Sequence, residues 1–313
     1  MPDKVSIRDV YGAALKKLGQ QEERVVVLEA DVGGSTKSAV FGKAFPDRYF
    51  NVGIAELNMA AMAAGFAYAG KIPFVNTFSV FLTTRASDPI SSMIAYDHLN
   101  VKLCGAYSGL SDAYDGASHH GIFDMAFVRS LPGMTILSVC DPVETEKAVF
   151  AAAEIEGPVY LRLSRAEAPV LYPEDMVFTP GKGILLREGA DVSLLATGLM
   201  VHHALEAAGL LEAEGISARV VDLHTVQPVD RELVLESAEK TGCIVTAEEH
   251  SIRGGLGSAV AEVLAQGRPT IQEFVGLDSY TESGAYGALL TAYHLDAQAI
   301  AEKARLALQR KKA

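Results

Sequence analysis

One carboxylate stands out because of where it falls in the chain. Glu56 follows an apolar strand pattern and a glycine turn at residues 49–53, and it begins a small-residue helix predicted for residues 55–70. An acid in the first turn of a helix commonly offsets the exposed N–H dipoles. In apolar surroundings its pKa would instead rise, and the group could exchange a proton near neutral pH. Glu56 is therefore our first candidate for a catalytic residue, with the helix-dipole role as the alternative.

A second group of polar residues lies in a long, glycine-punctuated loop at residues 108–121. It contains Asp115 and the adjacent histidines His119 and His120. Loops on a rigid scaffold are where binding groups concentrate, although two adjacent histidines also suit an exposed turn. A metal site is disfavoured, since no cysteine or histidine at ligand spacing accompanies them.

Three further side chains could bind a ligand. Phe78 and Phe81 follow a predicted strand at i, i+3 spacing, which suits stacking on a planar ligand as well as core packing. Arg165 ends another predicted strand, where it could bind an anion or remain solvated or salt-bridged. A glycine-rich turn at residues 253–258 precedes a helix, but it lacks both the Walker lysine and the full dinucleotide-binding fingerprint.

The elements that must position these residues alternate along the whole chain. Short β-branched or apolar runs, typical of buried strands, begin near residues 25, 49, 72, 101, 134 and 159. Helical patterns separate most of them, including one at residues 85–95. A second alternation of strands and helices starts at residue 192. The order predicts an α/β fold of two domains in series. A parallel-sheet domain is expected at residues 1–168, a proline-containing linker at 169–185 and a smaller α/β domain at 186–313.

Ligands of such sheets bind beyond the carboxyl ends of the strands. The loops at residues 31–35, 53–56, 76–78 and 105–120 each follow a predicted strand of the first domain. We therefore expect these four loops, and the candidate residues on them, to converge on one edge of the sheet.

Composition narrows the functional classes. The 313 residues are 49% hydrophobic and 21% charged, and the net charge of −12 argues against a general binder of nucleic acids or anionic membranes. Cys104, Cys140 and Cys243 are scattered, as expected for buried free thiols in a reducing compartment. The N-terminus has no signal-peptide core, and the predicted helix at 55–70 is too short to span a bilayer. We expect a cytoplasmic protein without a membrane or nucleic-acid partner.

Taken together, the motifs resemble the C-terminal half of transketolase over nearly the whole chain. The matching segments in the first domain are Gly53-Ile54-Ala55-Glu56, Thr77-Phe78-Ser79-Val80-Phe81, Asp115-Gly116-Ala117-Ser118-His119 and Leu163-Ser164-Arg165. In the second domain, residues 222–228 and 248–255 resemble the C-terminal domain that transketolases share with deoxyxylulose-phosphate synthases and two-oxoacid dehydrogenase beta subunits. The resemblance implies a pyrimidine-binding domain of the thiamine diphosphate enzymes, followed by the family's C-terminal domain.

The resemblance also implies which residues would serve the cofactor. Glu56 would hydrogen-bond the aminopyrimidine ring of thiamine diphosphate and polarise its ring nitrogen. Phe78 and Phe81 would hold that ring, and Asp31 matches an aspartate near the cofactor. The expected reaction is transfer of a two-carbon unit from a ketose to an aldose.

The remaining matched residues would serve the substrate. Asp115 and His119 would orient sugar hydroxyls, and His119 would assist proton transfer as a second catalytic residue. Arg8, Ser35 and Arg165 fall where the family binds a substrate phosphate.

The chain departs from many transketolases at three positions. Tyr107 stands where they have another phosphate-contacting histidine, Thr84 where they have a third aromatic residue against the pyrimidine, and His120 where they have glutamine. Tyr107 bears on how a substrate phosphate is bound, and Thr84 bears on how the pyrimidine is bound.

The sequence contains no Gly-Asp-Gly segment, with which thiamine enzymes hold the metal of the diphosphate. No metal ligand is therefore predicted in this chain, and Mg²⁺ (or Ca²⁺) would be bound mainly by a separate N-terminal subunit carrying Gly-Asp-Gly. A split enzyme is expected, with an α2β2 heterotetramer built on a self-dimer core. The alternatives are a deoxyxylulose-phosphate-synthase-like or two-oxoacid dehydrogenase beta subunit, or a non-catalytic subunit with the thiamine-enzyme fold.

Overall fold

The computed structural model of the protein describes residues 4–312, which form two α/β units in series. The first unit is built on a seven-stranded sheet and the second on a five-stranded sheet. The fold class predicted from the sequence is confirmed.

The strands of the described residues are short and mostly buried. In chain order they are β1 (Lys4–Ser6), β2 (Val25–Glu29), β3 (Tyr49–Asn51), β4 (Ile72–Phe78), β5 (Lys102–Ala106), β6 (Thr135–Ser138), β7 (Val159–Arg162), β8 (Glu167–Pro169), β9 (Ile184–Arg187), β10 (Val192–Ala196), β11 (Ala218–Asp222), β12 (Thr225–Gln227), β13 (Cys243–Ser251) and β14 (Ile271–Leu277).

The α-helices of the described residues are α1 (Ile7–Gln21), α2 (Gly33–Thr36), α3 (Ala39–Ala44), α4 (Glu56–Tyr68), α5 (Ser79–Arg85), α6 (Ser87–Pro89), α7 (Asp124–Arg129), α8 (Pro142–Glu154), α9 (Met200–Glu212), α10 (Arg231–Thr241), α11 (Leu256–Gly267), α12 (Tyr286–Ala292) and α13 (Ala297–Lys312). Short 3₁₀ helices occur at Pro46–Arg48 and Ala113–Asp115, and a π-helix at Ile90–Ala95. Within residues 4–312, no helix combines the length and the apolar character needed to cross a membrane.

The first sheet has the order β12-β6-β7-β5-β4-β2-β3, and every neighbouring pair except β12 with β6 is parallel. All residues of β2, β4 and β5 are buried, which is typical of parallel strands covered by helices on both faces. Because these strands are parallel, their carboxyl ends lie at one edge of the sheet.

The second sheet has the order β14-β13-β10-β11-β9, and β9 is its one antiparallel member. The second unit also supplies β12 to the first sheet, where Thr225 pairs with Leu137 of β6. One apolar cluster includes Leu223 and Val226 from the second unit together with Ile136 and Tyr160 from the first. The two units therefore share both a sheet and a core.

The helix predicted at residues 85–95 is not continuous. Helix α5 begins earlier, at Ser79, and ends at Arg85, and the rest of the segment is the short helix α6 followed by the π-helix. Pro89 lies at their junction, where its missing N–H interrupts regular helical hydrogen bonding. The pattern also gave no indication of the three-residue strands β1 and β8, which pair with each other and anchor the start of α1.

Candidate active site

The loops that follow the parallel strands meet at the carboxyl edge of the first sheet, as the sequence predicts. Asn51, at the end of β3, donates a hydrogen bond to Asp31 Oδ1, after β2 (2.9 Å). Arg8, near the start of α1, donates to the carbonyl oxygen of Ser35 (3.2 Å) and to the hydroxyl of Tyr107, after β5 (2.6 Å). Segments far apart in sequence thus form one surface.

Glu56 is the first residue of α4, and only 5% of its side chain is exposed. Its Oε1 accepts a hydrogen bond from Arg85 Nη1 at 2.7 Å, across 29 positions of sequence. The guanidinium carbon of Arg85 lies 3.9 Å from the centroid of the Phe81 ring. The sequence suggests apolar neighbours for Glu56, whereas the structure pairs it with a half-exposed arginine that also covers an aromatic ring.

The candidate aromatic residues form one group beside this ion pair. The ring centroids of Phe78 and Phe81 are 5.8 Å apart, with 26° between the ring planes. His119 meets Phe81 edge-on at 5.1 Å, and Tyr107 stacks on Phe78 at 4.3 Å. The hydroxyl of Thr84 donates to the carbonyl of Val80 in its own helix rather than extending this group.

Two arginines lie close to the ring of Tyr107. The guanidinium carbon of Arg165 is 5.1 Å from the Tyr107 ring centroid and that of Arg8 is 5.6 Å from it. Within residues 4–312, Arg8 Nε is buried without a hydrogen-bond partner. Arg165 is ion-paired with buried Asp112 at 2.7 Å. Burial, together with the nearby carboxylate of Asp115, raises the pKa of Asp112 to about 6.

The structure leaves four of the candidate residues accessible to a ligand. Asp31 and Asp115 are exposed, and Ser35 and His119 are half-buried. All four lie on the loops that follow β2 and β5, on the same edge as Glu56. The contacts above join Glu56, Phe81, Phe78 and His119 in one group, with Arg8 and Arg165 beside it at Tyr107.

Glu29, at the end of β2, holds the loop that carries Asp31 and Ser35, and the sequence analysis did not select it. Its buried carboxylate accepts four hydrogen bonds, from the backbone N–H groups of Ala30 and Val32 (both 3.0 Å) and from the hydroxyls of Thr36 (2.9 Å) and Ser38 (2.5 Å). Burial raises the pKa of Glu29 to about 7, although the four hydrogen bonds act to lower it. The sequence signal that could have identified Glu29 is an acidic residue at the end of an otherwise apolar strand.

One buried polar cluster lies at the interface between the two units. Cys140, Glu144 and Asp222 are fully buried and place three potential ligand atoms within 4.8 Å of one another, the one such group in the described part of the chain. The Cys140 thiol (3.4 Å) and the Tyr172 hydroxyl (2.7 Å) donate to Asp222 Oδ2. Glu144 Oε1 and Asp222 Oδ1 have no partner among the described residues. One proton shared by the two carboxyl groups would satisfy both oxygens.

Two protein-family models match the chain. The model described as "Transketolase, pyrimidine binding domain" matches residues 3–170, more than half of the chain, and "Transketolase, C-terminal domain" matches residues 181–300. The first matched segment contains strands β1 to β8, and the second contains strands β9 to β14.

Individual relatives match over almost their full length. A protein of Methanocaldococcus jannaschii, named as a transketolase C-terminal section, is 41% identical over 301 residues, which are 95% of this chain and 94% of that protein. A "6-deoxy-6-sulfo-D-fructose transketolase subunit" from a Clostridium species is also 41% identical, over 97% of this chain and 95% of its own. A solved structure described as "Split gene transketolase, inactive beta4 tetramer" is 48% identical, with a TM-score of 0.92 over 98% of this chain and 99% of that chain.

Proposed function

The chain belongs to the transketolase family, and we propose that it is one subunit of a two-chain transketolase that transfers a two-carbon ketol unit from a ketose to an aldose. The observation that carries the proposal is the grouping of Glu56, the aromatic pair Phe78 and Phe81, and His119 at one sheet edge. Residues 1–168 would be the pyrimidine-binding domain, 169–185 the linker and 186–313 the C-terminal domain.

The residues present fit the aminopyrimidine ring of thiamine diphosphate. Arg85 has a planar N–C–N group that donates to Glu56 and lies over the Phe81 ring, so the same two groups suit a planar nitrogen heterocycle. Glu56 would accept a hydrogen bond from the pyrimidine, and Phe78 and Phe81 would contact its face. Asp31 lies on the adjacent loop. When bound, thiamine diphosphate supplies the carbon nucleophile and the electron sink, while the protein supplies orientation and electrostatics.

The substrate would lie on the side of Tyr107 and His119. Asp115 and His119 are accessible and would orient sugar hydroxyls, with His119 moving a proton at a substrate oxygen. Arg8, Ser35 and Arg165 would bind the anionic end of the sugar through charge-assisted hydrogen bonds. We propose a sugar phosphate as the substrate; the name of the Clostridium relative makes a sulfonated sugar the second candidate.

A separate chain would complete the site. This sequence has no Gly-Asp-Gly segment, so the diphosphate and its Mg²⁺ or Ca²⁺ would be held by an N-terminal subunit that carries one. Ile54 and Leu57, on either side of the candidate carboxylate, are 74% and 54% exposed, and apolar side chains exposed beside a site are suited to contact with another protein. We propose an α2β2 assembly with the cofactor between the two kinds of chain.

The test is reconstitution. The chain is co-purified with a partner that carries Gly-Asp-Gly and assayed with thiamine diphosphate, Mg²⁺ and a pentose phosphate pair. Turnover is expected to be lost in Glu56→Gln and kept in Glu23→Gln, a control at an exposed acid. Near-normal turnover by Glu56→Gln would refute the assignment. Carbon dioxide release from pyruvate would favour a deoxyxylulose-phosphate-synthase-like or oxoacid dehydrogenase activity, and failure of the complex to bind cofactor would favour a non-catalytic subunit.

A further inference from the structure

The C-terminal domain contributes no side chain to the proposed cofactor and substrate contacts, yet it contacts the loop that carries Asp115 and His119 along its length. At one end of the loop, the backbone N–H of Leu110 donates to Glu249 Oε1 (2.5 Å). At the other end, Ser251 N–H donates to the carbonyl of Ile122 (2.7 Å). Both Glu249 and Ser251 belong to β13 of the second sheet.

The loop is also held near its C-terminal end, at His120, by a second segment of the same domain. His120 is fully buried, and its Nδ1 shares a hydrogen bond of 2.6 Å with the hydroxyl of Thr281. Gly284 N–H lies 3.4 Å from the carbonyl of Ala113, at the limit of a hydrogen bond. His120 directly follows His119, whose ring contacts Phe81. Fixing the His120 ring therefore fixes the backbone from which His119 reaches the aromatic group.

Glu249 is itself held in place on the side of the C-terminal domain. Its Oε2 accepts a hydrogen bond from the hydroxyl of Tyr286 at 2.8 Å, and its backbone carbonyl accepts one from Arg162 at 2.9 Å. Arg162 also donates to the carbonyl of Gly121 at 3.1 Å, and it is ion-paired with buried Asp124. Glu249 thus joins the loop to Tyr286 through its carboxylate and to Arg162 through its backbone carbonyl.

We propose that Glu249 and Thr281 are positioning residues for the transferase reaction, and that the C-terminal domain acts in it by holding the loop of residues 108–121 in its binding conformation. The identity of the reaction is the only part of this inference that rests on the proposed function. The hold itself depends on buried polar contacts near the two ends of the loop, at Leu110 and His120, each of which fixes a backbone or ring orientation as apolar packing alone does not.

The test compares Thr281→Val with the conservative Thr281→Ser and with Thr291→Val, an exposed threonine of the same domain. In the reconstituted complex, Thr281→Val is expected to lower kcat/KM for the ketose about tenfold, the effect of one buried hydrogen bond. Thr281→Ser keeps the hydroxyl and should restore the value, and Thr291→Val should match the unaltered protein. The concentration of thiamine diphosphate that gives half-maximal activity should not change, since Glu56, Phe78 and Phe81 lie outside the loop.

A second measurement does not depend on activity. Hydrogen exchange of the full chain, followed by mass spectrometry, should be about tenfold faster in Thr281→Val for peptides covering residues 113–121, and unchanged for residues 72–81. Glu249→Gln, which replaces one acceptor oxygen by a donor, should accelerate exchange at the residue-110 end of the loop.

The outcomes separate this inference from the proposed function. Unchanged exchange in both variants would overturn the inference even if the complex is an active transketolase. Equal acceleration throughout the chain, or equal loss of sugar and cofactor affinity, would also overturn it, because it would indicate general damage. If hydrogen exchange is accelerated only in the loop, but the complex has no transketolase activity, the result would support the positioning role of the C-terminal domain and refute only the assigned reaction.

Discussion

Removal of Arg85 should strengthen cofactor binding. Arg85 occupies both groups that the pyrimidine ring would use, the Glu56 carboxylate at 2.7 Å and the face of the Phe81 ring at 3.9 Å. The cofactor must therefore displace this arginine, and the free energy of its two contacts is subtracted from the free energy of binding. In Arg85→Ala the competing contacts are gone before the cofactor arrives.

The size of the effect follows from the exposure of the pair. Arg85 is 48% exposed, so its ion pair with Glu56 stabilises the chain by about 0.2–1 kcal/mol, as exposed pairs do. A cation–π contact at an exposed site adds about 0.5–1 kcal/mol. The sum, about 0.7–2 kcal/mol, corresponds to a dissociation constant about 3- to 30-fold lower in the variant.

The assay is calorimetric titration of the reconstituted complex with thiamine diphosphate at saturating Mg²⁺. Arg24→Ala is the matched control, because it removes an arginine that is ion-paired with Glu22 at 2.8 Å on the exposed surface. The control should bind as the unaltered complex does. Weaker binding by Arg85→Ala would refute the displacement argument, and it would mean that Arg85 supports Glu56 in the bound state. Unchanged binding would mean that the ion pair does not persist in the complex.

Two further predictions concern buried carboxyl groups. Burial raises the pKa of Asp222 to about 6 and raises the pKa of Glu144 well above its ordinary value, so the folded chain holds protons that the unfolded chain releases. The free energy of unfolding should therefore fall as the pH rises from about 4 through about 6. Glu144→Gln can still donate to Asp222 and should fold, and its free energy of unfolding, measured by urea titration at each pH, should depend less steeply on pH. A pH dependence equal to that of the unaltered chain would contradict the shared proton. Glu29→Ala leaves four donors without their acceptor and should lower the free energy of unfolding by about 2–4 kcal/mol; superimposable urea curves would show that Glu29 does not hold its loop.

The residues of the candidate site could be selected from the sequence because the order of parallel strands along the chain indicates which loops lie at the same edge of the sheet. Strand ends can be recognised locally, and parallel strands bring those ends to one edge whatever the loop lengths. Glu56, Phe78 and His119 were therefore predicted to lie close together without knowledge of their contacts. The same argument could not identify Arg85, which reaches Glu56 only because helix α5 begins at Ser79 and ends at Arg85.

The contacts between the domains lay beyond sequence reasoning for a different reason. Cys140 and Asp222 are 82 positions apart, and Leu110 and Glu249 are 139 apart. Each residue looks ordinary in its own segment, and only docking of the two domains gives it a partner.

This docking also bears on how the site works. The first sheet alone would align Glu56 with Phe78, because Glu56 follows β3 and Phe78 ends β4, the two strands that flank β2. It would hold the loop of residues 108–121 only in part, through contacts such as the ion pair of Asp112 with Arg165. The N–H of Leu110 and the ring of His120 find their partners on β13 and before α12. Since a buried polar group without a partner is costly, we expect the loop conformation that presents His119 to be less stable when the C-terminal domain is not docked. A domain that supplies none of the proposed cofactor contacts would then influence the geometry at the proposed substrate end of the site.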